Sequence, residues 1–190
     1  MDRVGGRTQT IDINGIKYDL GGQWVGPTQK YVQQLAERSG NDFLMQWHTG
    51  TKILHFGTKI MNYESNIPLN VGIIPLIHMQ IAMWKVDRMA NKINSANPRM
   101  DNPMAILWDS ITVQTWIHNN IMFENVKRLF ECAIRAVLGV EADEVSFLFF
   151  LWYVKQNQGI DRLINIENGL QEKTMKHGSQ HLSEFLKKSI

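Results

Sequence analysis

Apolar residues alternate with polar ones at the start of the chain and recur every three to four positions in its middle. Alternating stretches at 8–13 and 16–20 flank Asn14-Gly15, a dipeptide that favours a type I′ turn because both residues accept a positive φ. The first twenty residues therefore predict a β-hairpin. Further short strands are predicted at 43–45, at 51–63 with a turn at Gly57, and at 162–166.

The middle of the chain predicts helices. Apolar residues from Phe123 to Val137 follow three-and-four spacing and stop at Gly139, which is typical of an amphipathic helix. Residues 144–156 are apolar on nearly all sides, so that helix is expected to be buried. The remaining predicted helices are 28–40, 76–93, 110–118 and 179–188, with Thr28 and Asp109 as caps of the first and third.

A β-rich start, a helical middle and a mixed end indicate the α+β fold class. The two prolines within 94–103 predict a loop, and Asn168-Gly169 predicts a turn. The composition shifts near Leu69, which is the best candidate boundary between two parts of the chain.

Composition narrows the classes of function. The 190 residues are 44% apolar and 20% charged, and the net charge of +2 gives no electrostatic footprint for nucleic acid. No apolar run reaches the ~18 residues of a membrane span. The single cysteine, Cys132, excludes an internal disulfide and lies in an apolar helical pattern, so we expect a buried structural thiol. The six histidines lack ligand spacing, so no metal site is predicted.

Two Gly-Gly pairs carry the clearest chemical signal. Gly5-Gly6 is followed by Arg7, and Gly21-Gly22 is followed by Gln23 and Trp24, one hairpin later. Either pair alone is a tight turn in most proteins. Together they indicate backbone that approaches a ligand, a guanidinium suited to phosphate and a flat apolar face. The pattern is typical of a large, phosphate-bearing, aromatic cofactor.

These motifs resemble those of the flavin-containing amine oxidases, and among them the monoamine oxidases most closely. Matching segments extend over nearly the whole chain, and between residues 41 and 120 the likeness is one of order and length more than of motif. The quoted matches are Asp2-Arg3-Val4-Gly5-Gly6-Arg7-Thr8, Asp19–Gln29, Glu141–Ser146, Phe150–Gln156, Arg162–Ile164, Asn168–Glu172 and Gly178–Gln180.

The resemblance implies an FAD cofactor contacted by Arg7, Gly21, Gly22, Gln23 and Trp24, with Gly5 and Gly6 letting the backbone approach the diphosphate. It implies three segments: 1–43 as part of an FAD-binding domain, 44–174 as a substrate-binding domain with a helical insertion, and 175–190 as the return into the FAD-binding domain. The fold implied is thus an α/β cofactor-binding fragment joined to a largely helical part of the substrate domain.

The resemblance also implies residues that line a substrate cavity, with an apolar gate and a polar side chain near the amine. By their residue types alone, Leu163 and Ile164 are expected in a core and Gln171 on the surface. No catalytic side chain is assigned. The implied cavity residues are Ala136, Val137, Leu163, Ile164 and Gln171.

The implied reaction is the oxidation of an amine to an imine and then an aldehyde, with molecular oxygen reduced to hydrogen peroxide. We expect the chain to be a fragment that lacks the Gly-x-Gly-x-x-Gly unit and the family's later segments, with any membrane anchor outside it. Alone it is expected to be inactive and to retain little flavin. A homodimer is compatible with the resemblance, and the mitochondrial outer membrane is the location that the family offers.

A different class of function stays open. The chain can also be a non-catalytic helical interaction module derived from an amine oxidase. The Met-rich helix predicted at 76–93 would then provide an adaptable apolar binding surface.

Overall fold

The structure is a computed structural model, and it describes residues 3–65, 67–68 and 71–189. The chain divides into two compact units. We call Met1–His48 with Asn165–Ile190 the terminal unit, and Thr49–Ile164 the central unit. The candidate boundary at Leu69 lies outside the described residues, and the assignment of 1–43, 44–174 and 175–190 to cofactor and substrate domains stays a prediction.

The terminal unit combines a hairpin, a small sheet and two helices. Its elements are β1 (Thr10–Ile13), β2 (Ile16–Asp19), β3 (Trp24–Val25), α1 (Lys30–Arg38), β4 (Phe43–Met45), β7 (Lys173–Met175) and α8 (Gln180–Lys188). The strands β1 and β2 form the predicted antiparallel hairpin. Asn14 and Gly15 both have positive φ, at 55° and 82°, as the type I′ turn requires.

The sheet of the terminal unit joins residues that are distant in sequence. β7 lies between β3 and β4 and is antiparallel to both. Only β4 was predicted: β3 has just two residues, and β7 pairs with strands that are distant in sequence. The predicted Thr28 cap of the first helix is wrong: α1 has Gln29 at its N-cap position, with no side-chain cap hydrogen bond.

The central unit is one hairpin and a group of helices. Its elements are β5 (Lys52–Phe56), β6 (Lys59–Tyr63), α2 (Ile73–Ala90), α3 (Ala105–Asp109), α4 (Val113–Asn120), α5 (Glu124–Leu138), α6 (Phe147–Gln156) and α7 (Ile160–Ile164). The antiparallel hairpin of β5 and β6 turns at Gly57 as predicted. The α+β class is confirmed.

The apolar helix α6 lies at the centre of this unit. It packs against α2, α3 and α4, and Phe147, Leu151 and Val154 are fully buried. The ring of Phe147 stacks on Trp116 with centroids 5.1 Å apart. The prediction that the helix at 144–156 is buried is confirmed, although it begins at Phe147, where the Ser146 side chain accepts a hydrogen bond from the Phe149 amide.

Three predictions in the central unit are wrong. Residues 162–166 do not form a strand, because Arg162 to Ile164 belong to helix α7, which packs against α2 and α5. Tertiary packing here outweighs the strand preference of the isoleucines. Asp109 ends α3 and does not cap α4, whose cap is Thr112. Cys132 is exposed on α5 and is not a buried thiol.

A buried glycine fixes the entry into α8. Gly178 has φ +79°, and a Cβ there would lie 2.2 Å from Cγ2 of Thr10. Gly40 has a similar φ of +70°, but no atom lies within 4 Å of its Cβ position. Substitution at Gly40 therefore tests backbone strain alone, whereas substitution at Gly178 tests backbone strain together with steric crowding.

We expect Gly178→Ala to destabilise the protein more than Gly40→Ala. In both variants an alanine in the left-handed conformation lowers the free energy of unfolding by about 1 kcal/mol. Gly178→Ala lowers it by about 1–3 kcal/mol more, because the hairpin must move to make room for the methyl group. Urea unfolding followed by circular dichroism measures both. Equal losses of unfolding free energy would show that the hairpin does not pack on Gly178.

Asp109 gives the central unit a pH dependence. Its carboxylate accepts a 2.7 Å hydrogen bond from the Ser146 hydroxyl and pairs with Arg99. The Ser146 hydrogen bond, and after it Arg99, lowers the pKa of Asp109 below its ordinary value of 3.8. A carboxyl whose pKa is lower in the folded state than in the unfolded state stabilises the fold at pH values above its ordinary pKa. This stabilisation is lost as the pH falls through the folded-state pKa.

We therefore expect Asp109→Asn, which keeps an acceptor for Ser146 but removes the charge, to be less stable than the wild type at neutral pH. The difference in unfolding free energy should shrink as the pH is lowered below 3.8. Denaturant unfolding at a series of pH values measures it. A difference that stays constant with pH would mean that the carboxylate charge contributes nothing.

Candidate functional site

The seven predicted cofactor residues all lie in the terminal unit, where the two Gly-Gly pairs meet. The hairpin pairing continues past β1 and β2, since the Leu20 amide donates to the Gln9 carbonyl at 2.7 Å. One step further, the Gly22 amide donates to the Arg7 carbonyl at 3.1 Å. Arg7 and Gly22 are thus neighbours across one backbone hydrogen bond.

The two arginines of the first motif have different surroundings. The Arg3 guanidinium donates to the carbonyls of Gly6 at 2.9 Å and Thr8 at 3.2 Å, so it holds the loop together. Arg7 is exposed, and among the described residues it has no hydrogen-bond or ion-pair partner. Arg7 is therefore the guanidinium that is free to bind an anion.

Each Gly-Gly pair contains one glycine that the fold requires. Gly5 has φ +105°, and a Cβ there would lie 2.6 Å from the Thr8 carbonyl oxygen. At Gly21 a Cβ would lie 2.1 Å from the Arg7 carbonyl oxygen. These contacts make side chains impossible at both positions without a shift of the backbone.

The second glycine of each pair faces open space. No atom lies within 4 Å of a Cβ built at Gly6, and at Gly22 the nearest atom is Cγ2 of Thr8 at 3.9 Å. A ligand can therefore approach the backbone at Gly6 and Gly22, where no side chain covers it. Both peptide groups of Gly22 are already paired, the amide with Arg7 and the carbonyl with Ser179, so the fit to an anionic group comes from this open approach and from the free Arg7.

A cavity of about 400 Å³ opens beside the second pair. Gly22, Gln23 and Trp24 line it, and the indole of Trp24 is 36% exposed. Its opposite walls come from α1 and α8. The apolar side chains there are Val32, Leu35, Leu182 and Leu186. The cavity is within the size range of small-molecule sites, and its apolar lining suits an aromatic group.

A residue that was not predicted supports this cavity. The Ser179 hydroxyl donates to the Gly22 carbonyl at 2.6 Å, and Ser179 is only 6% exposed. Ser179 is 157 positions from Gly22, and no local pattern relates the two. Only the folded chain shows that the entry into α8 holds the second Gly-Gly pair.

The predicted substrate residues are divided between the units. Ala136 and Val137 lie in the last turn of α5, exposed and half-buried respectively, while Leu163 and Ile164 end α7. The helices α5 and α7 pack against each other, and Leu163 is 2% exposed whereas Ile164 is half-buried. Gln171 lies in the terminal unit, half-buried, directly before Glu172 and β7.

Solved structures of two oxidases share this fold. Putrescine oxidase bound to putrescine matches with a TM-score of 0.86 and 22% identity, covering 99% of this chain and 42% of that one. Cyclohexylamine oxidase from Brevibacterium oxydans IH-35A matches with a TM-score of 0.84 and 25% identity over the same shares of the two chains.

The chain belongs to the flavin-containing amine oxidoreductase family, whose model matches residues 1–189. It is 31% identical to the probable flavin-containing monoamine oxidase A of Dictyostelium discoideum, over 100% of this chain and 41% of that protein. It is 34% identical to the flavin-containing amine oxidase B of Sus scrofa, over 98% of this chain and 36% of that protein. The chain thus spans about two fifths of the length of these relatives.

The cofactor of this family is FAD. The terminal unit fits such a group in three respects: the free guanidinium of Arg7, the uncovered backbone at Gly6 and Gly22, and the apolar cavity beside Trp24. Among the described residues, no helix is both long and apolar enough to cross a bilayer.

Proposed function

We propose that this chain forms part of an FAD-dependent amine oxidase that converts amines to imines and aldehydes. The observation that carries the proposal is the placement of an unpaired Arg7 one backbone hydrogen bond from Gly22, at the edge of the cavity lined by Gln23 and Trp24. The side chain proposed to bind phosphate and the cavity proposed to bind an aromatic group are thus joined by one backbone hydrogen bond.

In this proposal each cofactor residue has a distinct task. Arg7 forms charge-assisted hydrogen bonds with the diphosphate. Gly6 and Gly22 leave room for the ligand to approach the backbone, and Trp24 offers an apolar face. Gly5 and Gly21 act indirectly, since they allow the turn and the close strand pairing that place the other residues.

The substrate side is proposed to be apolar. The side chains of Val137, Leu163 and Ile164 are hydrocarbon, and Gln171 supplies a neutral amide near the amine. An apolar lining disfavours the charged ammonium form, so the neutral amine is the reacting species. The absence of acidic residues among the predicted lining positions favours monoamines over polyamines as substrates.

Bound flavin supplies the oxidation itself, as acceptor of a hydride equivalent from the carbon next to nitrogen, and molecular oxygen then takes up those electrons to give hydrogen peroxide. The chain's own residues bind and orient the reactants and exclude water. The proposed partners are therefore an amine and oxygen. By resemblance to the family, we also propose a homodimer and a location at the mitochondrial outer membrane.

The other proposed class, an interaction module, loses its original support. Met79 and Met83 of α2 are 6% and 3% exposed, so these methionines pack in the core and form no binding surface. What favours the module is a stripe of exposed apolar residues on the same helix. Its members are Ile74, Ile77, Ile81 and Trp84.

We expect the 190-residue chain to purify with little flavin, because it spans about two fifths of its relatives and the remaining cofactor contacts are proposed to lie in other segments. The visible absorption spectrum of the purified protein measures the flavin content. A stoichiometric flavin band would contradict this expectation and would show that the terminal unit alone is a complete binding site.

Arg7 should govern whatever affinity for FAD the chain has. Loss of one charge-assisted contact predicts a dissociation constant about tenfold higher for Arg7→Met. Calorimetric titration with FAD, at concentrations high enough to detect weak binding, measures it. Arg38→Met is the matched control, since Arg38 is also exposed in the terminal unit but lies in the last turn of α1. Equal affinities of the two variants for FAD would contradict the assignment of Arg7 to the cofactor site.

A further inference from the structure

One half-buried carboxylate connects the longest helix of the central unit to the helix that carries Leu163 and Ile164. Asp87, on α2, accepts a 2.9 Å hydrogen bond from the backbone amide of Ile160, the first residue of α7. Ile160 is 5% exposed, so its amide has little access to water. Burial raises the pKa of the Asp87 carboxyl, and the hydrogen bond from the Ile160 amide acts in the opposite direction.

The chain between α6 and α7 is shaped to reach this carboxylate. Gln158 and Gly159 both have positive φ, at 65° and 121°, so the backbone reverses sharply before α7 begins. A Cβ built at Gly159 would lie 3.5 Å from Oδ1 of Asp87. That distance is an ordinary contact, so glycine is needed here for the backbone conformation and not for space beside the carboxylate.

Helix α7 depends on such anchors because it is only five residues long. A helix of that length is not stable by itself, since its nucleation is not offset by enough internal hydrogen bonds. Two contacts fix it: the Asp87 cap at its first residue and the buried Leu163 side chain one turn later. The half-buried Ile164 follows directly after Leu163 in the same helix.

We propose that Asp87 is a positioning residue that caps α7 and thereby fixes where the predicted substrate-lining residues Leu163 and Ile164 lie. The assignment of a gate to these residues rests on the proposed function. The capping contact itself is independent of it. A change at Asp87 should therefore loosen α7 selectively, without touching the cofactor residues of the terminal unit.

Amide hydrogen exchange of the full chain, followed by mass spectrometry, tests this. We expect Asp87→Ala to speed exchange of the amides of residues 160–164 about tenfold, the usual effect of losing a cap. Asp87→Asn keeps an oxygen at the same position and should restore most of the protection. Rescue by the amide distinguishes a specific hydrogen bond from general packing.

Val86→Ala is the matched control, because Val86 is the adjacent residue of α2 and is fully buried in the core. It should destabilise the central unit broadly and show no preference for α7. Gly159→Ala should also loosen α7, because a side chain at φ +121° strains the reversal that brings the Ile160 amide to Asp87, and it tests the placement of α7 even if the alanine variant at Asp87 fails to fold.

The proposal is overturned if 160–164 exchange as in the wild type in Asp87→Ala and Gly159→Ala, or if Asp87→Asn is as unprotected as Asp87→Ala. Neither result depends on flavin or amine binding. If the chain proves to have no role in amine oxidation while the exchange pattern holds, the cap stands and only its connection to a substrate gate is lost.

Discussion

The terminal unit depends on a set of hydrogen bonds between the first hairpin and the start of α8. Both carboxylate oxygens of Asp19 accept from the Ser179 amide, at 3.0 and 3.1 Å, and the Thr10 hydroxyl donates to the same carboxylate. The Thr10 backbone amide donates to the Gln180 side-chain oxygen, and the Gln180 backbone amide donates to the Thr10 hydroxyl. Because these partners are 160–170 positions apart, they close a long loop.

That connection matters for the site because it ends on the second Gly-Gly pair. Ser179 donates to Gly22, and Gly22 donates to Arg7, so a continuous path of hydrogen bonds leads from the start of α8 to the backbone of Arg7. Ser179 and Gln180 are 6% and 9% exposed. Polar groups at such depth are costly when unpaired and strongly orienting when paired. The predicted cofactor residues are thus positioned by Ser179 and Gln180, which lie near the other end of the chain.

Local patterns predicted the parts of this protein in which neighbours in sequence determine the structure. The Asn14-Gly15 hairpin, the end of α5 at Gly139 and the burial of α6 follow from turn chemistry and periodicity. The parts that failed depend on distant partners. Residues 162–164 form a helix because it packs against α2 and α5, and β7 exists because β3 and β4 lie on either side of it. Neither of these long-range contacts can be predicted from the residues next to the element in sequence.

The candidate site shows the same division on a smaller scale. Sequence singles out all four glycines alike, yet the structure separates Gly5 and Gly21, where a side chain would collide with the chain itself, from Gly6 and Gly22, where it would meet nothing within 3.8 Å. A glycine required by its own fold is no evidence for a ligand. Support for a cofactor therefore comes from the two glycines that have open space beside them, and from the neighbouring arginine, which has no partner among the described residues.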